Sequence, residues 1–92
     1  MLLYVVTYDV VCDKRRRKVA ALLEGYGVRV QYSVFECMLP VGKFEELKRR
    51  LRGRVRVEED SVRFYPMSGH VRGQVEIWGG VPLVEVPGSV IV

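Results

Sequence analysis

A chain of 92 residues has room for one domain, residues 1–92, with a modest core, because a chain of this size buries only about 60–65% of its unfolded surface. Hydrophobic residues make up 49% and charged residues 28%, which excludes a disordered chain, and no run approaches the roughly 18 apolar residues of a membrane span. The net charge of +4 points to an anionic partner and not to a membrane interior.

Leu2–Val10 is rich in β-branched and aromatic residues and reads as a strand. Before Asp9 it is apolar on both alternating faces, as a central strand covered on both sides would be. It carries a carboxylate, Asp9, to its end. Asp13 then offers an N-cap to a helix that runs to about Glu24, with Val19, Leu22, Leu23 and Tyr26 as its apolar stripe and Gly25 and Gly27 available for a left-handed C-cap. The first turns hold Lys14, Arg15, Arg16, Arg17 and Lys18. Positive charge there opposes the helix dipole by about 0.3–1 kcal/mol per residue. Such a run is either a solvated face or a nucleic-acid contact in which arginine forks and a helix start meet phosphate together.

Residues 28–39 are strongly β in composition but about twice an ordinary strand's length, which predicts a reversal near Gln31–Ser33 although no turn-forming Gly or Asn-Gly pair marks it. Pro40 closes this stretch. A second helix is expected over Lys43 to about Arg52, with Phe44, Leu47 and Leu51 buried and Glu45–Arg49 and Glu46–Arg50 as i,i+4 pairs. Its acids come first and its bases last, as the dipole prefers, so its charges need no function. Beyond Gly53, residues 54–60 read as an exposed strand or loop, Ser61–Tyr65 as a strand stopped by Pro66, and 67–73 as a loop. Gln74–Trp78 reads as a short strand broken by the glycines at 79 and 80, and the tail stays apolar to Val92.

The order strand, helix, paired strands, helix, strand is the split βαβ pattern of an α+β domain, with both helices on one face of an antiparallel or mixed sheet. The other face has no helix, yet the first strand is apolar on both sides. A second copy packed sheet to sheet across a two-fold axis would cover it, and the apolar tail from about residue 80 is suited to pack on that partner. Cys12 and Cys37 lack metal-site spacing and read as reduced thiols of a cytoplasmic protein, with a disulfide as the other option; the start of the chain has no secretory pattern. His70, alone in a loop, reads as a surface residue.

Several ordered blocks carry a resemblance. Tyr8-Asp9, Lys14 to Val19, Tyr26 to Cys37 and Asp60 to Pro66, at matching spacing, resemble the CRISPR-associated Cas-two family, the small adaptation-stage partner of the Cas-one integrase. The likeness runs to about Gly80. It implies a ferredoxin-like βαββαβ fold with an additional C-terminal strand, and a sheet-to-sheet homodimer. The family's metal-binding acid maps onto Asp9, which would face its symmetry mate across the dimer axis. Members are described as metal-dependent endonucleases on RNA or DNA acting in spacer acquisition for antiviral defence. Others are described as non-catalytic adaptors that bridge integrase dimers.

Magnesium takes oxygen ligands and keeps several waters, so one carboxylate from each subunit can hold it, and Mn2+ can replace it. Asp9 is therefore the expected metal ligand and catalytic residue, although an isolated acid at a strand end is also an ordinary turn residue. Arg15, Arg16 and Arg17 are the expected nucleic-acid contacts, with the Tyr8 and Ser33 hydroxyls as accessories that orient water or phosphate; Tyr8 reads equally well as core.

Overall fold

A computed structural model describes residues 1–85 of the chain. Its elements are β1 (Leu2–Asp9), α1 (Asp13–Glu24), β2 (Val28–Gln31), β3 (Val34–Leu39), α2 (Val41–Arg52), β4 (Ser61–Met67) and the short α3 (Gly69–Arg72). The strands form one sheet in the order β2-β3-β1-β4, and every neighbouring pair is antiparallel. β1 is central, as its apolar character on both faces requires. No helix among the described residues is long and apolar enough to cross a membrane.

Strand alternation sorts the sheet into two faces. Tyr4, Val6 and Tyr8 of β1, with Phe35, Cys37 and Leu39 of β3, pack against Val19 and Leu23 of α1 and Leu47 and Leu51 of α2 in one buried cluster. Both helices thus cover the same face. Tyr4 and Phe44 stack with ring centroids 3.7 Å apart, and Phe44 meets Phe64 edge to face at 5.6 Å, so aromatic contacts join β1, α2 and β4. Such a pair adds about 0.5–1.5 kcal/mol beyond its buried area. Burial pushes the Cys37 thiol up to about 12, which keeps it protonated and inert.

The opposite face carries Leu3, Val5, Thr7 and Asp9 of β1, flanked by Met38 and Glu36 of β3 and by Tyr65 and Arg63 of β4. Part of it is covered by the chain itself: Arg72 Nη1 donates to Met38 Sδ at 3.5 Å, and the Val84 amide donates to Glu36 Oε1 at 3.1 Å. Leu3 and Met38 are buried there, whereas Tyr65 is 46% exposed and Asp9 is exposed at the strand's far end. Among the described residues, this face is therefore covered around Leu3 and Met38 and open at Tyr65 and Asp9.

Several local expectations need correction. Asp13 is the first helical residue and Cys12 the N-cap; the Asp13 carboxylate turns to Arg16 instead. Gly25 caps α1 in a right-handed conformation, and among the described residues only Gly79 and Gly80 have positive φ. Pro66 does not stop β4, which runs on to Met67; among the described residues β4 is an edge strand, where a residue without an N–H is tolerated on the unpaired side. Residues 74–78 form no strand, and α3, capped by the Ser68 hydroxyl, replaces the expected loop. In α2 the acids pair at i,i+3, Glu45 with Lys48 and Glu46 with Lys43, while the Tyr26 hydroxyl stands between Glu46 and Arg50, donating to one and accepting from the other. The strand expected from the apolar tail falls largely on residues 86–92, outside the described residues.

Gly27 is required by space and not by dihedral freedom. A Cβ there would collide with the Glu36 carbonyl oxygen and lie 2.5 Å from Cys37 Sγ. Neither can retreat, since one is β3 backbone and the other is fully buried. Gly27→Ala is expected to cost about 1–3 kcal/mol, read as a lower midpoint in urea or thermal unfolding.

Candidate nucleic-acid and metal site

The sheet delivers Asp9 as a solvent-facing carboxylate in register with Ser61 of β4, on the face that the helices leave open. Thr7 lies two residues back on the same face, opposite Arg63. No group of three or more His, Cys, Asp or Glu side chains able to hold a metal occurs among the described residues. The donor set is thus a single hard oxygen group per chain, open to water. One or two such carboxylates, completed by waters and substrate phosphate oxygens, suit a strongly hydrated cation such as Mg2+.

The junction behind Asp9 is held by a buried ion pair that links distant parts of the chain. The Asp60 side chain is fully buried. Its Oδ2 accepts from Arg15 Nε at 2.9 Å and from the Arg56 amide at 2.9 Å, while its Oδ1 accepts from the Val11 amide at 3.1 Å and from Arg15 Nη2 at 3.2 Å. Arg15 Nη2 also reaches Glu59 Oε2 at 2.8 Å. Arg15, then the Arg56 amide, and then the Val11 amide against desolvation, hold the Asp60 carboxyl well below the usual carboxylate range. The β1–α1 connection is therefore tied to the α2–β4 connection by a charge-assisted network.

The expected arginines accordingly occupy different environments. Arg15 has its Nε and Nη2 committed to Asp60 and Glu59. Arg16 donates from Nη1 to Asp13 at 2.7 Å and from Nε to the Val10 carbonyl at 3.1 Å. Its charge is further favoured by Asp13 and then by the Tyr32 hydroxyl. Arg17 is exposed, and among the described residues its side chain has no hydrogen-bond or ion-pair partner. Tyr8 is buried against Phe35, and its hydroxyl donates to the Tyr32 carbonyl at 3.3 Å. Ser33 meets β1 through its backbone: its carbonyl accepts from the Tyr8 amide at 3.1 Å. His70 is exposed in α3, with Nε2 2.9 Å from Gln74 Nε2.

Arg16 and Arg17 line an open cleft of about 370 Å³ together with Tyr8, Asp13, Ala20, Arg29 and Tyr32. Arg29 and Tyr32 come from β2 and the turn after it, and sequence reasoning assigned neither a role. The signal was an aromatic residue at the unexplained break in residues 28–39, flanked by a basic strand position. Asp60 was missed because the charge it compensates lies 45 residues away in sequence.

Residues 1–75 match the family model described as CRISPR associated protein Cas2. A Synechocystis protein named CRISPR-associated endoribonuclease Cas2 3 is 63% identical over 92 residues, covering all of both chains. A Thermus thermophilus protein named CRISPR-associated endonuclease Cas2 2 is 49% identical over 84 residues, covering 91% of this chain and 89% of its own. Among solved structures, a chain of a partial Cas6-RT-Cas1–Cas2 complex is 29% identical and superimposes with a TM-score of 0.79 over all of both chains. With a family model matched over most of its length and a full-length relative at this identity, the chain belongs to the CRISPR-associated Cas2 family.

Proposed function

We propose that this protein is a metal-dependent endonuclease that hydrolyses RNA or DNA phosphodiesters during CRISPR spacer acquisition, working as a sheet-to-sheet homodimer with one Asp9 from each copy. The observation that carries this is the lone, water-facing Asp9 at the end of the central strand, on the part of the sheet that neither helices nor the described tail cover. Curated relatives named as endoribonuclease and endonuclease support the reaction class.

In this reading, one Asp9 carboxylate from each copy would hold the cation. When bound, Mg2+ or Mn2+ would polarise a phosphodiester and lower the pKa of a coordinated water. The basic start of α1 binds the nucleic-acid backbone, with exposed Arg17 and the cleft-lining Arg16 as the accessible phosphate contacts and Arg15 holding the loop between them and Asp9. Arg63, on the Asp9 face, adds a further positive charge near the scissile group. Labelled single-stranded RNA and duplex DNA, incubated with the protein and Mg2+ or Mn2+, should be cut, and EDTA should stop cutting. Absence of cleavage under every one of these conditions would reject the nuclease.

A second reading is favoured by the likeness to a chain of a complex that contains Cas1. There the dimer is a non-catalytic adaptor between integrase subunits, and the same basic surface grips the DNA. A protein that does not cleave but supports integration with its Cas1 partner would establish it.

Arg17 gives a test common to both readings. Arg17→Gln should weaken binding on all sequences alike. It should also lower the slope of log affinity against log salt by about 0.9 on duplex DNA, the share of one phosphate contact, with an unchanged melting temperature. An unaltered slope would make this side chain part of a solvated face.

A further inference from the structure

The cleft beside α1 has a composition that backbone binding alone does not call for. It brings together Arg16, Arg17 and Arg29 with a single acid, Asp13, which is already paired to Arg16. The excess of positive charge therefore faces the opening. At its rim stands Tyr32, 71% exposed at the tip of the β2–β3 turn. Its backbone is fixed from beneath, because the buried Tyr8 hydroxyl donates to its carbonyl and the Ser33 carbonyl is bound to β1. Its ring is positioned by Arg29, whose guanidinium carbon lies 6.0 Å from the Tyr32 centroid and 5.2 Å from that of Phe35. An aromatic ring held out into water by a rigid turn has no role in the core. A free π-face beside several guanidinium groups is what a single unpaired nucleotide needs, a stacking platform for the base and arginine forks for its phosphate. The volume, about 370 Å³, lies within the about 300–1,000 Å³ of small-ligand sites.

We propose that this cleft is a subsite for one unpaired nucleotide, ribo- or deoxyribo-, with its base stacked on Tyr32 and its phosphate held by Arg17 and Arg29. Resting on the reading above that the basic surface binds nucleic acid, it adds a preference for a frayed or overhanging strand over a blunt duplex. The site lies on the helix side of the sheet, with Tyr8, whereas Asp9 faces the other side, so binding here is separable from cleavage.

The test is binding, measured by fluorescence anisotropy in EDTA so that no strand is cut. The probes are a blunt DNA duplex, the same duplex with a short single-stranded overhang, and single-stranded DNA and RNA of matched length. Wild type should prefer the overhang and single-stranded probes. Tyr32→Ala should weaken those by about 5- to 150-fold, the size of one lost stack, and leave the blunt duplex within about twofold. Tyr32→Phe should stay within about twofold of wild type, since it keeps the stacking ring and gives up only the hydroxyl beside Arg16, which Asp13 still holds.

A second measurement does not depend on affinity. In a Trp78→Phe background, Tyr32→Trp places the only indole at the turn, and adding single-stranded oligonucleotide should quench its emission by stacking. Equal weakening of blunt and single-stranded probes, or no weakening, or no quenching by a bound strand, would overturn the subsite while leaving backbone binding intact. Wild type that binds no probe would overturn both.

Discussion

Asp9→Asn is expected to reduce metal-dependent phosphodiester cleavage to the level seen in EDTA while leaving the protein folded and dimeric. The substitution keeps the shape of the side chain and removes the charge that a hard cation needs from its protein ligands. Asp9 is exposed at a strand end and its side chain makes no hydrogen bond among the described residues, so nothing in the core depends on it. Two carboxylates brought together at a two-fold axis repel each other without a cation. The variant dimer should therefore be no less stable than wild type in EDTA, and it should lose the stabilisation that wild type gains on adding Mg2+. Nucleic-acid binding in EDTA should be nearly unchanged, because the arginine-lined cleft lies on the other side of the sheet. Cleavage by purified Asp9→Asn at the wild-type rate would place any activity elsewhere.

Asp60→Ala should have the largest effect on stability. It removes a fully buried carboxylate that satisfies two backbone amides and the Arg15 guanidinium, leaving the two amides unpaired and Arg15 with only the half-exposed Glu59. Breaking one side of a buried pair costs far more than losing a surface one. We expect a fall in melting temperature of about 10 °C or more. Glu59→Ala, which removes only the half-exposed partner of Arg15, should shift it little. Arg15→Gln should also destabilise, although charge at a helix start, considered alone, predicts relief from its removal.

The same network fixes a pH dependence. The Asp60 carboxyl is held below its ordinary value in the folded protein, so the unfolded chain binds the proton first as pH falls. Its contribution is therefore complete above about pH 5. It is lost progressively as pH drops below the ordinary aspartate value of about 3.9 towards the native one. Asp60→Asn should flatten that acid limb of a stability–pH curve.

Much of the fold was legible because local signals agreed with one another. The doubly apolar β1, the stripe Val19, Leu22 and Leu23 on α1, and Phe44, Leu47 and Leu51 on α2 all pack as their spacing requires. The excess length of residues 28–39 announced two strands even though no turn residue marked the break; the reversal falls at Tyr32 and Ser33, beside an irregularity in β2 pairing. What failed depends on partners distant in sequence. Pro66 is accommodated because β4 is an edge strand, a fact of sheet order. The role of Gly27 comes from the close approach of β3.

The five basic residues at the start of α1 looked alike in sequence and divide in space. Arg15 compensates Asp60, Arg16 bridges the first turn of its own helix, and Arg17 faces solvent. No helical periodicity distinguishes these roles, since they are set by a loop some 45 residues later and by the β2–β3 turn.

The paired-acid site is tested most directly by its stoichiometry. Mn2+ titrated into the purified protein, with free metal followed by electron paramagnetic resonance and oligomeric state by sedimentation, should bind at one tight site per two chains, and Asp9→Asn should abolish it. One tight Mn2+ per chain, binding by a monomer, or a site that survives in Asp9→Asn would contradict a cation shared between two copies of Asp9.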